Sequence, residues 1–254
     1  MENLQERNPH KGLGDKRRPL LILLALFAGG AVPIQLVLLS FGYSQYYQQV
    51  AMGPKMILEA HQFARFYIPL VYLPALVTLV ALILYSRSRY PDLFRRIVVG
   101  MLAGMVATVA LDFFREMGVI NGWLPGDTPA MFGKMASGSR SFAIYYPVGY
   151  FVHYMNGANF GLFFTFVWGR QKSRLRSVGW AVVWLLIIEM GMMTGPPMAP
   201  MVGPFGTNYA WPQFFILTLT AHVAFGIVLG LLTHLWLKPE DQTGLIKFLR
   251  GQNS

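Results

Sequence analysis

Two histidines and two carboxylates stand in matching positions of this chain, inside stretches that carry almost no other charge. His153 opens the string H-Y-M-N-G-A-N-F-G-L and His222 opens H-V-A-F-G-I-V-L-G-L, so both read H-x-x-x-G-x-x-x-G-L. Each is preceded by an apolar stretch that ends in an acid. Asp112 lies in A-L-D-F-F-R-E-M-G and Glu189 in I-I-E-M-G. Asn156 adds an amide close to His153. Neutral imidazoles with carboxylates bind divalent metals, two imidazoles on facing helices can hold a haem iron axially, and Asp/Glu/His chains carry protons through transporters. No spacing selects among these: there is no H-E-x-x-H and no histidine three or four residues from another.

The ligand or proton-path candidates are therefore Asp112, His153, Asn156, Glu189 and His222, with His153, His222 and Glu189 as the metal-binding subset. The cofactor expectation is haem or a divalent metal. Asp112 is the least secure member, since Arg115 and Glu116 follow it and offer a simple ion pair at a helix exit. Glu189 is deep, because no other charge occurs from Val178 onward to it, and it suits a donor or proton-relay role. The bland alternative is that these groups only hydrogen-bond neighbouring helices, which makes the chain a structural or accessory subunit. No nucleophile–base pair is visible, so no catalytic residue is assigned and an enzyme is disfavoured. A further alternative rests on Met190, Met192, Met193, Met198 and Met201: thioethers suit Cu(I), although methionine is also a common filler of apolar surfaces.

The elements that hold these residues follow from composition. The 254-residue chain is 54% hydrophobic and 13% charged, where a soluble domain carries about 25% charge. Much of it must face lipid, where only helices or closed barrels satisfy the backbone, and the apolar runs are too continuous for barrel strands. About 20 apolar residues span a bilayer as a helix. Six segments qualify, at 19–43, 64–86, 97–117, 143–168, 178–195 and 213–237. The first is too long for a cleaved signal, whose apolar region runs about 7–15 residues. Pro33, Pro69 and Pro74 predict kinks.

Sixteen of the 21 Lys and Arg fall in residues 1–20, in the second-to-third and fourth-to-fifth connections, and after 237. The positive-inside rule puts those segments and both termini in the cytoplasm. The net charge of +10 is thus topological and implies no nucleic acid. The expected partners are the lipid bilayer, with basic tails attracting anionic headgroups, and a homo-oligomer or larger membrane complex. With no cysteine in the chain, disulfides and thiolate sites are excluded.

The matched motifs predict an all-α polytopic fold with an internal repeat. Spans three and four form one unit and spans five and six another, parallel and related by an axis along the membrane normal. The expected organisation is a tail at 1–18, a peripheral helix pair at 19–96, a four-helix core at 97–237 and a tail at 238–254. Small residues spaced by four let helices approach closely, which gives Gly100, Gly104, Gly157, Gly161, Gly226 and Gly230 a packing role. At 1.5 Å per residue, the histidines lie roughly 12–15 Å below the outer surface. The uncharged Gly/Pro/Met loop at 191–212 is expected to fold back as a cap. His10 and His61 read as solvated and His234 as interfacial.

Leu124, Pro125 and Pro129, the His153-Gly157-Gly161 helix, Pro200, Met201, Gly203, Phe205 and Gly206, and the His222-Gly226-Gly230 helix together resemble a group of uncharacterised bacterial multi-pass membrane proteins. The resemblance covers roughly 97–237. It implies the same loop-and-helix architecture and a bacterial inner (plasma) membrane location, and it names no activity.

Overall fold

The computed structural model describes residues 17–44, 54–196, 198–242 and 244–249. His10, the basic residues before 17 and Arg250 lie outside the described residues. Among the described residues there are helices and no strands. We number the helices α1 (Arg17–Gly42) and α2 (Lys55–Arg89), then α3 (Pro91–Ile120), α4 (Thr128–Ser137), α5 (Phe142–Val167), α6 (Arg174–Thr194), α7 (Ala199–Val202), α8 (Gln213–Trp236) and α9 (Leu245–Leu249).

Five of these, α1, α2, α3, α6 and α8, are long and apolar enough to cross a membrane. Helix α5 corresponds to the expected fourth span. Its 26 residues give a length of about 39 Å, yet Tyr145, Tyr146, His153, Tyr154, Asn156 and Asn159 lower its hydropathy. Half of α5 is nevertheless buried, because α1, α3 and α4 surround it. A helix sheathed in protein needs less apolar surface than one facing acyl chains.

The prolines act where the sequence places them. A π-turn at Leu26–Ala31 directly precedes the Val32-Pro33 start of the next α-helical stretch, and a second, Ile68–Tyr72, contains Pro69 and ends just before Pro74. Proline lacks an N–H and its ring crowds the carbonyl four residues back. Widening the ladder locally relieves both conflicts. Helix α2 also starts well before the expected residue 64, because its first turns are polar and amphipathic; they pack on α4.

Glycines set the closest approaches. A Cβ on Gly104 would lie 2.1 Å from Gly157 O, and one on Gly161 would lie 2.1 Å from Gly100 O, so α3 and α5 touch backbone to backbone. On the other side of the molecule α8 meets α6 through Gly226, opposite Val182 Cα at 2.7 Å, and Gly230, opposite Val178 Cα at 2.5 Å. Helix α3 also packs along α8 and joins the two pairs. Contact between α5 and α6 is slight by comparison and largely aromatic, with Trp184 Nε1 donating to Phe160 O at 3.1 Å.

The connections on either side of α4 and between α6 and α8 are structured. Asp127 caps α4 by accepting from Ala130 N, and Gly138 ends it in the left-handed region. Gly133 of α4 and Gly149 of α5 abut with no room for a Cβ on either. His61, read as solvated, instead meets Met135 O through Nδ1 at 2.8 Å and stacks under Gly138. The second loop folds back as expected: Met193, Val202 and Phe214 are buried together with Leu124. Tyr209 Oη donates to Gly122 O at 3.1 Å, which ties the two connections together.

Two placements differ from the sequence expectation. The α1–α2 pair is not peripheral to the packing: Gly29 and Gly30 of α1 press on Leu162 and Phe163 of α5, and the largest buried apolar cluster runs through α1, α2, α4 and α5. The described part of the C-terminal tail is docked. Arg95 donates to both carboxylate oxygens of Asp241 at 2.5 and 2.9 Å, and Arg96, fully buried, lies over the Phe248 ring at 3.9 Å. Arg18 pairs with Asp92 and reaches Phe248 O at 3.2 Å. His234 is buried beside Arg170, whose Nε donates to the His234 carbonyl at 3.0 Å.

Candidate functional site

Each histidine meets the acid of the long helix that precedes its own in the chain. His153 of α5 places Nε2 2.8 Å from Asp112 Oδ1 of α3, and His222 of α8 places Nδ1 2.8 Å from Glu189 Oε2 of α6. The glycines one and two turns further along α5 and α8 hold the same helices together, so the close helix contact brings imidazole to acid. All four side chains are buried.

The two pairs differ in their surroundings. Asp112 Oδ1 also accepts from Arg115 Nε at 2.8 Å. Arg115 in turn pairs with Asp127, donates to Glu116 Oε1 at 2.7 Å and reaches Tyr150 Oη at 3.2 Å. The helix-exit ion pair and the buried histidine contact thus coexist on one carboxylate. In the second pair the His222 Nδ1–H points to Thr218 O at 2.9 Å, and Glu189 lies beside it off that direction. Glu189 is 0% exposed, and neither of its oxygens completes a hydrogen bond among the described residues.

Both histidines line one cavity of about 140 Å³. A backbone carbonyl and an ionised carboxylate only accept, so each imidazole presents an N–H to its protein partner. In the neutral ring the other nitrogen, Nδ1 of His153 and Nε2 of His222, is then an acceptor. Neither has a hydrogen-bond partner among the described residues. Asn156 lines the same cavity, is 8% exposed, and has a buried Oδ1 with no partner among the described residues. The rest of the wall is mostly apolar and includes Leu111, Phe160, Leu217 and Phe225. Asp112 and Glu189 do not line it; they stand behind the imidazoles, and the hydrogen bond to Asp112 fixes the orientation of the His153 ring.

Several contributors were not singled out from the sequence. Arg115 lines the cavity as well as anchoring Asp112. Ile34, Val37 and Leu38 of α1 complete one wall, so the four helices of 97–237 do not enclose the site alone. Asn159, fully buried on α5, has neither amide atom partnered among the described residues. A buried asparagine three residues from Asn156 was the available signal. Of the five methionines, Met192, Met193 and Met198 reach the cavity and Met190 and Met201 do not.

Among the described residues no group of three or more His, Asp or Glu is close enough to hold a metal ion. The cavity is far smaller than the several hundred Å³ of typical cofactor pockets, so a porphyrin does not fit between the imidazoles. No family model, curated protein or solved structure matches this chain.

Proposed function

We propose that this is an integral membrane protein that binds a small molecule in the cavity between its two imidazole–acid pairs and offers that molecule a route for protons. The observation that carries the reading is that His153 and His222 line one cavity, each with a carboxylate behind it. We read α5 as a sixth span and both termini as cytoplasmic. The contacts that gather Arg18, Arg95 and Arg170 around Asp92 and Asp241 at one end support that topology. The repeated relation of histidine, glycines and preceding acid supports two parallel repeats, and the resemblance supports a bacterial inner membrane. The test is a thermal-stability screen of the purified protein in detergent with fragments of about ten non-hydrogen atoms, run beside Ala221→Phe, which fills the cavity. Fragments that stabilise the parent chain and not the variant support the reading. Equal stabilisation of both overturns it in favour of an accessory subunit whose polar residues only pack helices.

A second reading is favoured by Met192, Met193 and Met198, which share the cavity with two imidazoles. Thioether and imidazole donors together suit Cu(I). Competition for Cu(I) against a chelator of known affinity tests it: binding at a one-to-one ratio that is lost in the triple Met→Leu variant supports copper handling, and no binding removes it.

A further inference from the structure

The polar groups that line the cavity and lack a protein partner among the described residues include both acceptors and donors. His153 gives its Nε2–H to Asp112 and His222 gives its Nδ1–H to Thr218 O, which leaves a bare nitrogen on each neutral ring. The Asn156 Oδ1 is buried without a donor, while its Nδ2, which is not enclosed in the same way, has no acceptor among the described residues. Polar groups left unpaired in an apolar enclosure are costly, so an occupant that supplies both a donor and an acceptor recovers part of that cost. A phenolic hydroxyl both donates and accepts, and its aromatic ring suits a wall of phenylalanines better than a saturated alcohol does.

The remaining wall sets size and shape. Phe132, Phe160 and Phe225 face the space with Leu111 and Leu217. Its volume of about 140 Å³ is close to that of an apolar protein cavity, about 150 Å³, that binds benzene. One six-membered ring fits, and a second does not.

Resting on the small-molecule reading above, we propose that the cavity takes a single-ring hydroxyaromatic compound, a phenol or the head of a hydroquinone. Its hydroxyl donates to a free imidazole nitrogen of His153 or His222, its oxygen accepts from Asn156 Nδ2, and its ring packs among the phenylalanines. The occupant is lipid-soluble and can arrive through the bilayer. Only binding is assigned, with no redox step.

The experiment follows 19F NMR of three probes, 4-fluorophenol, fluorobenzene and fluorocyclohexane, added to the purified full chain in detergent and corrected with empty micelles. We expect saturable binding of 4-fluorophenol at least tenfold tighter than fluorobenzene, displacement by unlabelled phenol, and loss of the tenfold preference in Asn156→Leu. Ala221→Phe should abolish binding of every probe. Equal affinity for 4-fluorophenol and fluorobenzene in the parent chain overturns hydroxyl recognition and leaves the small-molecule reading standing. Preference for fluorocyclohexane overturns the aromatic class in the same way. Failure of all three probes to bind overturns both this proposal and the accommodation of ring-sized molecules, while smaller fragments in the stability screen would still support the broader reading. Should either variant fail to fold by circular dichroism, the probe order and phenol displacement in the parent chain decide alone.

Discussion

Glu189 lies 2.8 Å from His222 Nδ1, yet the imidazole N–H is directed at Thr218 O, so the acid is enclosed without a completed hydrogen bond. This is an arrangement that stability alone would not select, since an isosteric neutral side chain would avoid the desolvation cost.

Glu189→Gln should therefore leave the fold intact or make it more stable, by about 1 kcal/mol or more. His222 loses no partner its N–H depends on, because Thr218 O remains. Thermal unfolding in detergent reads the change. A large drop in stability would show that the acid is structural, and the proposed trade of stability for function would fail.

Asp112→Ala should behave in the opposite way. The substitution strips one carboxylate oxygen from both His153 and Arg115, and Arg115 is only 4% exposed. Removing one partner of a buried ion pair costs about 3–5 kcal/mol, discounted here because Arg115 retains Asp127 and Glu116. The same unfolding assay should rank Asp112→Ala well below Glu189→Gln.

The glycines give a paired prediction. Gly104→Ala forces its Cβ against Gly157 O and should destabilise by about 1–3 kcal/mol. Gly179→Ala meets nothing within 4 Å on α6 and should stabilise by up to about 1 kcal/mol, because alanine is the better helix former. A seam tolerant of alanine at 104 would mean that α3 and α5 do not touch backbone to backbone.

Asp241→Ala should release residues 238–249 from the helix ends. Asp241 is 1% exposed, holds Arg95 through both oxygens and accepts from its own Lys238 N at 3.0 Å. Hydrogen exchange in this segment should rise by an order of magnitude or more while α5 stays protected, since local opening is governed by local contacts.

Topology has a clean test because the chain contains no cysteine. Ser141→Cys, in the exposed turn before α5, and Ser88→Cys, in the exposed last turn of α2, should label oppositely. A membrane-impermeant maleimide added to intact cells should reach the first and miss the second. Labelling of both, or the reverse pattern, would refute six spans with cytoplasmic ends.

The sequence by itself determined the helical character and the tendency of long segments to enter lipid, because hydropathy and the absence of alternation are one-dimensional properties. It also marked the prolines at which α1 and α2 open into π-turns, and the turn-rich segment that folds back onto the helix ends. The pairing of His153 with Asp112 and of His222 with Glu189 could not be read from spacing, since each contact joins two helices and depends on how each helix is rotated. The same holds for the α1 residues in the cavity wall and for the docked tail: each is a contact across long sequence separation. Only tertiary packing decided that the least apolar long helix, α5, would be the most enclosed one. A side chain's exposure to lipid is set by its neighbours in space, and the sequence lists only its neighbours along the chain.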